Sequence, residues 1–142
     1  MTSSTISSDG GPVFFWREYE EPYGFMSQWY PSTFTAPAPP SAAKNAPPMT
    51  FLTTEQYMMY QKAIVFKDQE IADKIMLERN PRKQKALGRK VNNFDNKKWN
   101  GKRDHVVEEG NWWKFTQPKE EDLRKRLLET GDRMLVEIRD VD

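Results

Sequence analysis

Apolar positions recur along this chain at two spacings, helical over most of its length and strand-like near its two ends. The densest apolar stretch runs from 52 to 66, Leu-Thr-Thr-Glu-Gln-Tyr-Met-Met-Tyr-Gln-Lys-Ala-Ile-Val-Phe. It has a complete helix start: Thr53 can cap, Gln56 can reach back, and Leu52 and Tyr57 sit where a hydrophobic staple packs. Being apolar nearly all round, this helix is predicted to be buried. Asp68 caps a second helix, with Ile71, Ala72, Ile75 and Met76 on one face. Asn80 caps a third, Pro81 takes its first position and Gly88 stops it. Asp95 opens a long helix through Trp99, Val106 and Val107 to Trp113, with a break predicted near Gly110. Pro118 opens a last helix over 119–130, stopped by Gly131. Its inward residues are Leu123, Leu127 and Leu128, and its surface pairs are Glu120–Arg124 and Glu121–Lys125. Val13-Phe14-Phe15-Trp16 and 134–138 read as strands.

About five helices and two or three short strands predict an α+β fold, a predominantly helical single domain over 13–138. Residues 1–12 are small and polar and are expected to be disordered. The segment 35–48 carries Pro37, Pro39, Pro40, Pro47 and Pro48 and reads as an extended, mobile insertion within that domain. Residues 139–142 form a short tail.

Composition narrows the chemistry. A net charge of +1 gives no bias toward nucleic acid or an acidic membrane. The absence of Cys removes disulfides, thiolate metal sites and Cys nucleophiles. His105 is the one histidine, so no His-rich metal site is expected, and it reads as a surface residue. No apolar run reaches the ~20 residues of a membrane span. The expectation is an intracellular, cytoplasmic protein with no membrane partner.

Glu55 and Lys62 stand seven residues apart on one stripe of the first helix, about 10 Å along its axis. That is too far for an i,i+4 ion pair. Met58, Met59, Val65 and Phe66 flank the stripe, so it reads either as two walls of a pocket or as a solvated strip. The basic run Arg82, Lys83, Lys85, Arg89 and Lys90 is a solvated face or a phosphate site. Nine of the 18 aromatics lie between Phe14 and Phe34; Phe14, Trp16 and Phe25 are assigned to the core. Trp99 is a core anchor or a stacking wall. Lys114 is a weak site candidate or a cation at a helix C-terminus.

Several segments, in order, resemble the NADAR domain family, the YbiA-like proteins. Thr54-Glu55-Gln56-Tyr57 followed by Gln61-Lys62-Ala63 looks like its signature. Phe25-Met26-Ser27-Gln28-Trp29-Tyr30-Pro31-Ser32 resembles its upstream segment, with Gln28 where the family commonly has Asn. Leu87-Gly88-Arg89, Trp99, Lys114-Phe115, Leu127-Leu128-Glu129-Thr130-Gly131 and Leu135-Val136-Glu137 follow in the family's order.

The resemblance implies a hydrolase acting on N-glycosidic bonds of ribose, in ribosylamino-pyrimidine phosphates (riboflavin precursors) or in ADP-ribosyl-guanine. No cofactor and no metal are implied. The partner is a small nucleotide-like substrate or an ADP-ribosylated base, with nucleic acid only as a carrier of that base. Glu55 would protonate the leaving nitrogen and Lys62 would attack C1. Arg89 beside Gly88 would hold phosphate, Trp29 and Trp99 would stack, and Ser27 and Gln28 would hydrogen-bond sugar or base. The alternative is a module that binds ADP-ribose or a related nucleotide without turnover. A third class, a nucleic-acid binder using the run 82–90, is disfavoured by the near-zero charge. The family's pattern continues past Leu135-Val136-Glu137 where this sequence has Arg139-Asp140-Val141-Asp142. The expectation is that a pocket wall and one core helix are lacking, with poor activity and marginal stability.

Overall fold

Every helix needs partners for the free N–H groups of its first turn, and short polar side chains just upstream supply them here. The computed structural model describes residues 10–117 and 121–138. Three short strands come first, β1 (Val13–Phe15), β2 (Phe34–Ala36) and β3 (Met49–Phe51). Five helices follow: α1 (Thr54–Val65), α2 (Gln69–Leu77), α3 (Pro81–Gly88), α4 (Asn96–Thr116) and α5 (Glu121–Leu128); β4 (Leu135–Glu137) comes last. Thr53 Oγ1 accepts the Gln56 N–H at 3.0 Å, Asp68 Oδ1 that of Ile71 at 3.1 Å, Asn80 Oδ1 that of Arg82 at 2.8 Å and Asp95 Oδ2 that of Lys98 at 3.2 Å. Gln56 does reach back, and its Oε1 accepts the Leu52 N–H at 2.7 Å.

Helix α1 is the hub, packed against α2, α3 and α4. Its buried face includes Tyr57, Met59, Tyr60 and Ala63. Phe51 meets Tyr57 and Tyr60 edge-on, with centroids 5.1 and 5.8 Å apart, and stacks on Phe34 at 5.8 Å. Buried amides join the helix ends. Gln56 Nε2 donates to the carbonyls of Ile75 and Glu78 at 3.0 and 3.2 Å, and Gln84 Nε2 donates to Glu78 O at 2.7 Å. Thr53 Oγ1 and Gln84 Oε1 are 3.0 Å apart, which completes the link between the starts of α1 and α3. A buried carbonyl at a helix end is costly without a donor, so these amides hold the C-terminus of α2 against α1. A second, smaller core gathers Val13, Phe25, Met26, Phe115 and Leu123. It joins β1, paired in parallel with β4 through Val13↔Leu135 and Phe15↔Glu137, to the ends of α4 and α5.

Several local expectations change. Helix α4 runs unbroken through Gly110, where a Cβ would lie 3.1 Å from Tyr57 Cδ2. That glycine permits the close approach of α4 to α1 and does not end the helix. The start of the 35–48 segment is not free coil: β2 and β3 pair antiparallel, Phe34↔Phe51 to Ala36↔Met49. The prolines therefore sit in the loop of a wide hairpin. Phe14 is 50% exposed and Trp16 is exposed too, so of the three aromatics assigned to the core only Phe25 is there. Leu128, expected inward, is 71% exposed. With Trp112, Leu127 and Leu135 it borders an apolar groove of about 720 Å³. His105 is on the surface, 3.5 Å from Glu109. Residues 1–9, Pro118 to Glu120 and the 139–142 tail lie outside the described residues, as do the side chains needed for the Glu120–Arg124 and Glu121–Lys125 pairs. Among the described residues no helix is long and apolar enough to cross a membrane.

Two glycine substitutions should separate packing from helix propensity. At Gly88 a Cβ would collide with the Met59 side chain, whereas at Gly101 it would meet nothing within 4 Å. Gly88→Ala is expected to destabilise by about 1–3 kcal/mol. Gly101→Ala should stabilise by roughly 0.5–1 kcal/mol. Urea unfolding of both variants checks the pair.

Candidate functional site

The chain from Gly24 to Tyr30 carries three candidate residues, and three fixed points hold it. Gln28 O accepts the Glu55 N–H at 3.0 Å and the Thr54 hydroxyl at 3.2 Å, so a loop carbonyl satisfies a free donor at the start of α1. Ser27 Oγ accepts the Trp29 N–H at 3.2 Å, an internal turn. Beneath, Lys114 of α4 is fully buried, and its Nζ donates to Phe25 O at 2.6 Å and Ser27 O at 3.1 Å. Its ammonium also lies 5.0 Å from the Phe115 ring centroid and 5.5 Å from that of Tyr30.

Above this loop opens a polar cavity of about 400 Å³. One wall is the β1–β4 edge, with Trp16, Arg17, Glu18, Glu137 and Ile138. The other comprises Ser27, Gln28 and Trp29 with Glu55, Met58 and Met59 of α1 and Arg82 and Lys85 of α3. Glu55 is only 5% exposed. Its Oε1 accepts the Trp29 indole N–H at 3.0 Å. Gln28 Oε1 is buried and has no hydrogen-bond partner among the described residues, a cost that a ligand donor would relieve. One face of the Trp29 ring lies under the Arg82 guanidinium, 4.6 Å from its centroid, and Lys85 Nζ is 5.9 Å from the same centroid.

Lys62 does not line this cavity. It follows Met58 by one turn of α1, half-buried, with Nζ 4.5 Å from the Phe94 ring centroid. Burial pushes its amine below the ordinary 10.5, Glu55 partly offsets this, and the nearby Arg89 charge pushes the same way as burial. Glu55, Lys62 and Arg89 thus form one electrostatic group, although only Glu55 faces the cavity.

The sequence-predicted residues divide by position. Glu55, Ser27, Gln28 and Trp29 meet at the cavity, and Lys62 and Arg89 lie beside it. Gly88 is packed under Met59. Trp99 is 5% exposed within the main core, the place of an anchor and not of a stacking wall. Lys114 holds loop carbonyls from below, which is neither a ligand contact nor an exposed helix-end charge. In the sequence, Arg82 and Lys85 stand out only as members of a basic run that reads as a solvated face or a phosphate site, Trp16 is assigned to the core, and Arg17 is passed over. The spacing of Arg82 and Lys85, one turn apart on a short helix, was the available signal, and it is shared by many solvated faces. Among the described residues no cluster of three or more His, Asp or Glu side chains could hold a metal.

Lys114→Met keeps the length of the side chain and removes its donors. Leaving the Phe25 carbonyl unsatisfied, and the Ser27 carbonyl with the Tyr30 N–H alone, should cost about 1–3 kcal/mol. An exposed helix-end cation would cost at most about 1 kcal/mol. Denaturant unfolding reads the difference, and Trp29 fluorescence should broaden as the loop loosens.

The geometry can be set beside known proteins. Over 112 residues the chain is 39% identical to N-glycosidase R617 of Acanthamoeba polyphaga mimivirus, an alignment covering 79% of this chain and 62% of that protein. It is 34% identical over 147 residues to Protein irg-1 of Caenorhabditis elegans, covering 99% of this chain and 68% of that protein. The chain therefore spans about two thirds of the length of these relatives. The family model of the NADAR domain matches residues 14–142, nearly the whole chain and every residue of the cavity. The chain belongs to the NADAR domain family.

Proposed function

We propose that this protein cleaves the N-glycosidic bond of ribose in a nucleotide-like substrate, of the ADP-ribosyl-guanine or ribosylamino-pyrimidine phosphate type. The observation that carries this reading is the buried Glu55 carboxyl, aimed into a polar cavity and oriented by the Trp29 indole. The mimiviral relative bears the name of an N-glycosidase, which supports the reaction class. Glu55 gives a proton to the leaving nitrogen as the C1–N bond breaks. The neutral Lys62 amine supplies its electron pair to C1, and ring opening converts the adduct to a Schiff base. The departing base keeps the proton of Glu55; water then hydrolyses the protonated Schiff base to the free sugar and the neutral amine, and the proton released in that step returns to the Glu55 carboxylate. A Lys of ordinary pKa is under roughly a tenth of a per cent neutral at pH 7, so the downward shift of Lys62 serves this step. Substrate must reach past Met58 to Lys62. Because Lys62 stands outside the cavity lining, nucleotide binding without turnover is the second reading.

Glu55→Gln keeps an acceptor for the Trp29 indole and removes the proton. Ligand binding should persist while single-turnover rate falls by about 10²–10⁴. Were Glu55 only a charge at a helix start, the variant would lose no more than roughly 1 kcal/mol of stability and no rate. Lys62→Ala should abolish turnover, and borohydride should trap substrate on Lys62 in the parent protein. Full activity of the Ala variant with no adduct removes the nucleophile role.

The pH profile tests the same assignment. Turnover needs Lys62 neutral and Glu55 protonated together, so the rate rises with pH as Lys62 loses its proton at a pKa below 10.5 and declines again where Glu55 is ionised. As pH falls through that value the amine protonates and the rate falls. A profile with no such limb contradicts the assignment.

A further inference from the structure

We propose that Arg82 and Lys85, folded over Trp29, are the clasp for a phosphate carried by the ribosyl ligand; this rests on the cavity reading above and names the ligand as a phosphorylated ribose. The two residues lie one turn apart on α3 and approach the same indole, at 4.6 and 5.9 Å from its centroid. A guanidinium stacked on an aromatic face keeps its in-plane N–H donors pointing outward, the fork that matches a phosphate. Lys85 brings a second charge to the same indole. The stack limits the freedom of the long Arg82 side chain before ligand arrives, which reduces the ordering cost of binding.

Charge around the cavity is uneven. The β1–β4 wall carries Arg17 against Glu18 and Glu137, an excess of one negative charge by count of side chains. The α1–α3 wall carries Arg82 and Lys85 against Glu55, an excess of one positive charge on the same count. An anionic group is therefore favoured on the α3 side. One indole ring separates that place from the carboxyl of Glu55, since Trp29 meets Glu55 with its N–H edge and Arg82 with its face. This arrangement suits a ligand whose reacting C1 lies at Glu55 and whose 5′-phosphate lies at the clasp, one sugar ring apart. It also assigns Trp29 as a spacer between acid and cations, with the face under Arg82 not open to a base. Arg89 stands next to Lys62 electrostatically and does not line the cavity, so it is the natural control.

Calorimetric titration with ribose 5-phosphate, ribose and ADP-ribose tests the assignment on the full chain. The parent protein should bind ribose 5-phosphate at least about tenfold more tightly than ribose, the worth of one charge-assisted hydrogen bond. The double variant Arg82→Gln/Lys85→Gln should lose that preference, and Arg89→Gln should keep it within about threefold, a fraction of one such bond. Thermal melting of the double variant, whose sites are exposed at Arg82 and half-buried at Lys85, confirms that the fold persists. Retention of the preference by the folded double variant, or its loss in Arg89→Gln, overturns the clasp while leaving the glycosidase reading intact. Failure of the parent protein to bind ribose 5-phosphate and ADP-ribose overturns both. Equal affinity for ribose and ribose 5-phosphate overturns the clasp alone.

Discussion

The hydrogen bond from the Trp29 indole to Glu55 locks side chain to side chain where two parts of the protein meet. On one side is the loop that follows the 3-10 turn Gly24–Met26; on the other is the first turn of α1, the helix on which the core is built. The Gln28 carbonyl, accepting the Glu55 N–H and the Thr54 hydroxyl, adds two more hydrogen bonds. A buried carboxyl is expensive to desolvate unless a donor meets it, and an indole N–H has no other use for its single proton. Lys114 closes the arrangement from beneath by supplying donors to Phe25 and Ser27. The cavity thus has a floor made of loop backbone fixed at three points.

Glu55 and Lys62, the groups proposed to react, both sit on α1, and that placement has a structural reason. Its first turn is held by Thr53, by Gln56 reaching both back to Leu52 and across to the end of α2, and by Gln84. A side chain on so constrained a turn keeps its direction, which a proton transfer requires. Further along the helix, half-burial and the neighbouring Arg89 charge bear on Lys62. The same helix therefore offers an acid at a polar opening and an amine of lowered basicity in a more apolar setting.

Helix starts were legible because caps act within a few residues: Thr53, Asp68, Asn80 and Asp95 all do what their positions imply. Glu55 stood out because a buried helix seldom carries a carboxyl without reason. What could not be read depends on distant partners. Nothing local tells a cation lying over an indole more than fifty residues away from one in water, so Arg82 and Lys85 looked like Lys83. Lys114 at a helix end invited a dipole argument, yet the carbonyls it meets belong to Phe25 and Ser27. Gly110 looked like a breaker because the approach of Tyr57 is tertiary. Phe14 and Trp16 looked like core because their strand pairs only with β4, and aromatic composition says nothing about which face is covered.

Hydrogen exchange at the Trp29 indole, followed by proton–nitrogen NMR, addresses the central pairing most directly. If the carboxyl of Glu55 holds that N–H, its signal exchanges far more slowly than the indole of exposed Trp112 and moves when Glu55 is replaced by Gln. An indole of Trp29 that exchanges as fast as Trp112 and ignores the substitution would contradict the account.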